Sequence, residues 1–296
     1  MTGRTGGPRR LGVIVIVIVA GLAARCGDVN AALRQVTEAH RLAADLRVEF
    51  ARAADAANRA VMADTDAASV TYAGEAETAK RAVNTDVDAL RPMLYTLKYT
   101  EESRLLDEFT AKFAEYQTLD RRILDLAVEN TNLKAQRLSF GPAQSAADAF
   151  RDSLQAIVAA GDPWRVKALV ASAVAAVREI QALEAPHIAE PEDASMARLE
   201  KRMADAESAA RSALDTLAPL VQPASRPRLA AAAASLDQFM KLNAQIIELS
   251  RRNTNVRSLA LSLDEKRKLT APCEETLRLL QAALDKRGFP DGRRRW

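Results

Sequence analysis

Between Asp28 and Arg287 the chain carries only three glycines, Gly74, Gly141 and Gly161. Glycine is the residue that enters left-handed and strained backbone most readily, so so long a stretch with so little of it can be interrupted at few places. Ala, Leu, Arg, Glu and Asp dominate that stretch, β-branched runs are rare after residue 24, and aromatic residues make up 4% of the chain. This is the composition of long helices that pack through small side chains. An all-α protein follows, and 296 residues with 48% hydrophobic content suffice for one or two domains with substantial cores.

The interruptions fall near "ADTD" (63–66), Pro92, "GP" (141–142), "GDPW" (161–164), Pro186 to Pro191 and Pro219 to Pro227. Start signals accompany several of them. Thr100 stands before Glu101 and Glu102, and Asp162 before Pro163, the pattern of an N-cap followed by acidic or proline first-turn residues. Helices are expected at about 28–62, 67–96, 101–139, 143–185, 192–221 and 226–287, with bends at Gly161–Pro163 and Pro272.

A repeat organises these segments. Sliding the chain by 123 residues places "RRILDLAVENTNLKAQRLSF" (121–140) over "AQIIELSRRNTNVRSLALSL" (244–263) with seven identities in twenty, which marks an internal duplication. The same offset lays 67–96 roughly over 192–221. The expected architecture is therefore two stacked four-helix-bundle units of long up-and-down helices, residues 27–160 and 143–287, sharing the helix at 143–185.

Both copies contain the triplet Asn-Thr-Asn. At spacings of three and four, Leu119, Ile123, Leu126, Asn130, Leu133, Arg137 and Phe140 form one stripe, and Leu242, Ile246, Leu249, Asn253, Val256, Ala260 and Leu263 form its copy. An asparagine interrupts each stripe at the same place. Buried without a partner, its amide would cost about 1–3 kcal/mol. Two readings stand. Asn130 and Asn253 set helix register through cross-helix hydrogen bonds, the favoured reading because single polar seam residues do this in coiled coils. Alternatively they line a polar pocket in which Lys134, Arg137 and Arg257 hold a carboxylate. Thr131 and Asn132, rotated by about 100° and 200° from Asn130, are expected to face solvent or flank the contact.

The formal net charge of +3 is concentrated at the ends, in Arg4, Arg9 and Arg10 and in the tail 288–296 with Arg293, Arg294 and Arg295. A nearly neutral body offers no electrostatic footprint for nucleic acid. The apolar run Leu11–Ala24 follows the first basic segment, so 1–26 has the layout of a signal peptide or an N-terminal membrane anchor. Its length as a helix, about 21 Å, falls short of a ~30 Å hydrocarbon core without its flanks. If retained, the preceding arginines keep the N-terminus cytoplasmic and the body outside. Cys26 invites a lipoprotein reading, but Arg25 stands just before it where a small residue is expected.

The two cysteines, Cys26 and Cys273, give neither a disulfide framework nor a zinc spacing. His187 in "EAPHIAEPED" has Glu184, Glu190, Glu192 and Asp193 nearby, but the prolines mark a loop of solvated charges in preference to a metal site. No phosphate-binding glycine loop, nucleophile elbow, di-iron Glu-x-x-His pair or haem-attachment motif is present. No enzymatic activity and no cofactor are expected.

"EESRLLDEFTAKFAEYQTLDRRILDLAVENTNLKAQRLSFGPAQSAADAFRDSLQAIV" (101–158) resembles the four-helix-bundle sensor domain of methyl-accepting chemotaxis proteins, with Phe109, Phe113 and Tyr116 as the spaced aromatics and "SFGP" (139–142) as the turn. The segment 237–284 is similar to the same element again, and 61–94 to the family's first turn and second helix. The resemblance implies a module outside the cytoplasm, held at a bacterial inner membrane through Leu11–Ala24 or released to the periplasm. It would bind a small organic solute between helices, pair with a receptor or a second copy, and shift one helix against its neighbours. After Leu284 the sequence ends in "DKRGFPDGRRRW", without a second transmembrane helix or cytoplasmic signalling hairpin. That departure keeps a rival open, an adaptor bundle that binds partner helices and no solute.

Overall fold

The computed structural model describes the backbone of residues 11–158 and 163–287, and the side chains of these from residue 31 onward. The expected leader or anchor at Leu11–Ala24 and the basic tail at 288–296 lie outside the described side chains. Among the described residues no helix is long and apolar enough to cross a membrane.

Ten α-helices and no strand are found among the described residues: α1 (Leu11–Val61), α2 (Asp66–Thr96), α3 (Thr100–Glu129), α4 (Thr131–Leu138), α5 (Gln144–Gln155), α6 (Trp164–Ala189), α7 (Asp193–Leu217), α8 (Arg226–Arg252), α9 (Thr254–Leu261) and α10 (Arg267–Arg287). The protein is all-α, as its composition requires. Local chemistry sets several ends. Thr65 Oγ1 accepts the Ala68 N–H at 3.2 Å and so caps α2. Past α2, Lys98 takes a left-handed φ of 57°, and the Tyr99 N–H reaches back to Leu94 O at 3.0 Å, a Schellman stop.

The first unit takes the described residues of Met1–Ala56, Gly74–Thr118 and Lys266–Trp296. It is a four-helix bundle. Leu42, Leu46 and Phe50 of α1 meet Val83, Val87, Leu90 and Leu94 of α2, Leu106, Phe109 and Phe113 of α3, and Cys273, Leu277, Leu280 and Leu284 of α10. Phe50 is the hub, edge-on to Phe109 at 6.0 Å, Phe113 at 5.9 Å and Tyr116 at 5.1 Å. Glu102, almost fully buried, receives a forked pair of hydrogen bonds from Arg287 at 2.7 and 3.0 Å.

The second unit takes Ala57–Ala73 and Leu119–Glu265. Its main core joins Phe150 and Leu154 of α5, Val170, Val177 and Ile180 of α6, Met203, Ala210 and Leu217 of α7, and Leu236, Phe239 and Ile246 of α8. Alanines occupy many of the remaining core positions, which allows close helix approach. A smaller cluster gathers Val61, Ile123 and Ala127.

Three features differ from the sequence expectation. The units share helices, but the boundary between them passes through α1, α2 and α3, not through 143–185, and the units do not follow the sequential blocks 27–160 and 143–287. The 143–185 segment is two helices of the second unit, because α5 tightens at Ile157 and Val158 into i−3 hydrogen bonds and α6 starts afresh with Pro163 at its N-cap, ψ 142°. "SFGP" does not end a helix. Ser139–Ala143 is a π-helical segment between α4 and α5, and Ser262–Lys266 is another between α9 and α10, each in the same place within its copy. The second contains no proline, so Pro142 is not the common cause. The third difference is at the Asn-Thr-Asn triplets.

Candidate functional site

Asn130 and Asn253 are not seam residues of continuous helices. Each has left-handed backbone, φ 52° and φ 54°, a conformation that asparagine tolerates better than most residues, and each ends one helix and starts the next. α3 stops at Glu129 and α4 starts at Thr131; α8 stops at Arg252 and α9 starts at Thr254. A restarted helix presents N–H groups that have no carbonyl four residues back. Neither asparagine caps its own helix.

The caps come from the other copy. The Thr131 N–H donates to Thr254 Oγ1 at 3.0 Å, and the Thr254 N–H to Thr131 Oγ1 at 3.2 Å. Likewise the Asn132 N–H donates to Asn255 Oδ1 at 3.1 Å, and the Asn255 N–H to Asn132 Oδ1 at 3.1 Å. The two threonine hydroxyls meet at 3.2 Å on the local pseudo-twofold axis. The amides complete the exchange: Asn132 Nδ2 donates to Asn253 Oδ1 at 2.8 Å, and Asn255 Nδ2 to Asn130 Oδ1 at 2.7 Å. Every one of these bonds has a mate generated by the 123-residue offset.

Around this node the symmetry is broken. Asn253 Nδ2 donates to Glu190 O at 2.8 Å and Asn132 Nδ2 to Ile188 O at 2.6 Å, which ties the node to the end of α6. On the opposite side Asn130 Nδ2 has no hydrogen-bond partner although the residue is only 1% exposed. There the Ser69 hydroxyl lies between Ala60 O at 3.1 Å and Ala127 O at 3.0 Å. Ala127 O is the carbonyl that would receive the Thr131 N–H in an unbroken helix.

Thr131 and Asn132 are therefore buried at the centre of the node, not solvent-facing. The left-handed residue resets the helix phase, so the 100° rotation per residue does not carry across it. The same reset takes Arg137 and Phe140 out of the expected stripe. Phe140 is 72% exposed and its counterpart Leu263 is 59% exposed.

Of the five candidate ligand residues, Asn130 and Asn253 sit in the node, while the cations do not converge on it. Lys134 Nζ donates to Glu129 O at 2.7 Å, a carbonyl at the end of α3. Arg137 pairs with Asp66 at 2.6 Å. Arg257 is exposed. The asparagines do make cross-helix hydrogen bonds, but at helix breaks and not as seam residues within continuous helices. What identifies the node in the sequence is that all three triplet residues recur in both copies, whereas Arg137 is replaced by Ala260.

Two more buried polar groups flank the node in the same unit. Ser139, which opens the first π-helical segment, hydrogen-bonds Glu184 of α6, whose other oxygen has no partner. Burial pushes the Glu184 carboxyl up to about 7, the serine hydroxyl opposing. Nearer the end of α6, His187 Nδ1 meets Ser250 Oγ at 2.6 Å and Nε2 meets Glu200 Oε1 at 2.8 Å. The Arg251 guanidinium grips Glu200 at 2.6 and 2.7 Å and holds its carboxyl below the usual range, with His187 adding to the effect. The Ser-His-Glu order resembles a nucleophilic array, but Ser250 and His187 are both 0% exposed, so no substrate reaches the hydroxyl. Glu184 and His187 are thus buried residues of α6, not part of a loop of solvated charges, and the hydrogen-bond partners of His187 are Glu200 and Ser250, not Glu184, Glu190, Glu192 or Asp193. Among the described residues no group of three or more His, Cys, Asp or Glu side chains is placed to hold a metal ion. No protein-family model, no curated protein and no solved structure matches the chain.

Proposed function

We propose that the chain is a non-enzymatic helical sensor module of the chemoreceptor-bundle type. It works outside the cytoplasm, held or exported through Leu11–Ala24, and answers a small organic solute or a partner receptor by shifting helices against one another. The observation that carries this reading is the paired break at Asn130 and Asn253. Each left-handed residue costs of order 1–2 kcal/mol relative to continuing the helix, and the node buries five polar side chains with Asn255 half-buried beside them. A bundle selected for rigidity alone gains nothing from such a joint, whereas strained backbone held by its surroundings is characteristic of switching segments.

A second reading has its own support. Phe140 and Leu263 are large, exposed and equivalent under the repeat, which suits an adaptor that grips partner helices without a solute. Thermal unfolding of the chain against organic acids, amino acids and purines separates the two. Free ligand at about 100 times its dissociation constant stabilises the folded state by about 2.7 kcal/mol, so a sensor shows a clear rise in Tm with one compound class. No rise with any compound, together with loss of a receptor complex on Phe140→Ser and Leu263→Ser, sinks the solute reading in favour of the adaptor.

A further inference from the structure

We infer that the two helix breaks are a single switch: the α3–α4 and α8–α9 joints pass between broken and continuous helix together, because each supplies the other's caps. Consider one joint straightening alone. When Asn130 turns right-handed, the Thr131 and Asn132 N–H groups find the carbonyls of Ala127 and Val128 within their own helix. The side chains of Thr131 and Asn132 then rotate with the new helix phase and leave the Thr254 and Asn255 N–H groups, which donate to them at 3.2 and 3.1 Å. Those N–H groups start a helix in a buried place and have no carbonyl to replace the lost caps while Asn253 stays left-handed. The half-straightened state is thus worse than either end state. If both joints straighten, every displaced N–H finds an intrahelical acceptor, and the cost falls on the tertiary contacts of the node instead. Two elements coupled in this way behave as one bistable unit.

The two joints are not equivalent in their surroundings. Both joints are tied to the end of α6, the second through Asn253 Nδ2 on Glu190 O and the first through Asn132 Nδ2 on Ile188 O. The Asn130 side differs in having a buried amide nitrogen with no partner and in the Ser69 hydroxyl, which lies between Ala60 O and Ala127 O. Straightening α3–α4 brings the Thr131 N–H onto Ala127 O, which then accepts it alongside the Ser69 hydroxyl or leaves that hydroxyl to Ala60 O.

This inference goes beyond the sensor reading and is tested with no ligand present, so the two can fail separately. The experiment labels asparagine with 13C and 15N in the full chain and follows the Cα shift of Asn253, which reports the sign of its φ. Asn130→Gly and Asn130→Ala both delete the acceptor of Asn255 Nδ2. Glycine keeps left-handed backbone freely and alanine does not. The expected result is that Asn253 moves toward right-handed helical shifts in the alanine chain and stays at its parent value in the glycine chain, with the converse pair at Asn253 read at Asn130. If Asn130→Ala does not fold, Asn130→Ser is read in the same way. Left-handed shifts at Asn253 whatever stands at 130, or equal movement with glycine and alanine, overturn the inference.

Discussion

Thr131 and Thr254 each accept the other's backbone N–H and share a hydroxyl contact, so a side chain of equal shape without oxygen tests the node directly. Thr254→Val is expected to lower stability in urea unfolding by about 1–2 kcal/mol, the worth of a helix cap. Adding Thr131→Val should then cost clearly less than it does alone, because the pair acts as a unit. Simple additivity would show that the two caps are independent. Glu184 offers a pH-dependent counterpart. Its folded-state carboxyl titrates near 7 against an ordinary 4.5, so below about pH 4.5 the proton is held in both states and burial costs nothing. As pH rises to about 7 only the unfolded chain has released the proton, and stability falls by up to about 3 kcal/mol. Glu184→Gln should therefore gain on the parent chain between pH 5 and pH 8. An equal difference at the two pH values contradicts the raised pKa. Cys273, buried and pushed up to about 12, should resist thiol reagents in a Cys26→Ser chain until the first unit unfolds; labelling at the free-cysteine rate would contradict its burial.

At the scale of the element, punctuation made most helices legible. "ADTD", Thr100 and the paired prolines at 186–191 and 219–227 lie within a few residues of real ends, since caps and prolines act locally. The joints at Asn130 and Asn253 were hidden for an equally physical reason. Asparagine is compatible with a helix, and its left-handed state here is held by side chains 123 residues away, which no local window contains. Asn253→Leu illustrates the consequence. As a seam residue its replacement would gain stability; as a left-handed joint it loses the backbone tolerance of asparagine and leaves Glu190 O unpaired. We expect a loss of about 2–4 kcal/mol by urea unfolding, and a more stable variant would restore the seam picture. In the first unit Phe50→Ala should cost about 3–5 kcal/mol, typical of a buried aromatic, with calorimetry as the check.

At the scale of the whole molecule, the duplication was visible in the sequence but its use was not. The repeat alone suggests sequential blocks, yet α10 closes the unit that α1 begins, a pairing of remote segments that periodicity cannot express. Periodicity tells which face of a helix is apolar and leaves its partner unspecified. The node adds a further point. Two copies that each give the groups they receive make an isologous contact, the kind found across the twofold axis of a homodimer. A chain with one such copy would complete its helix starts only by meeting another molecule, and its folding would depend on concentration. Carried in tandem, the copies meet at an effective concentration on the order of millimolar, and the dependence on concentration disappears.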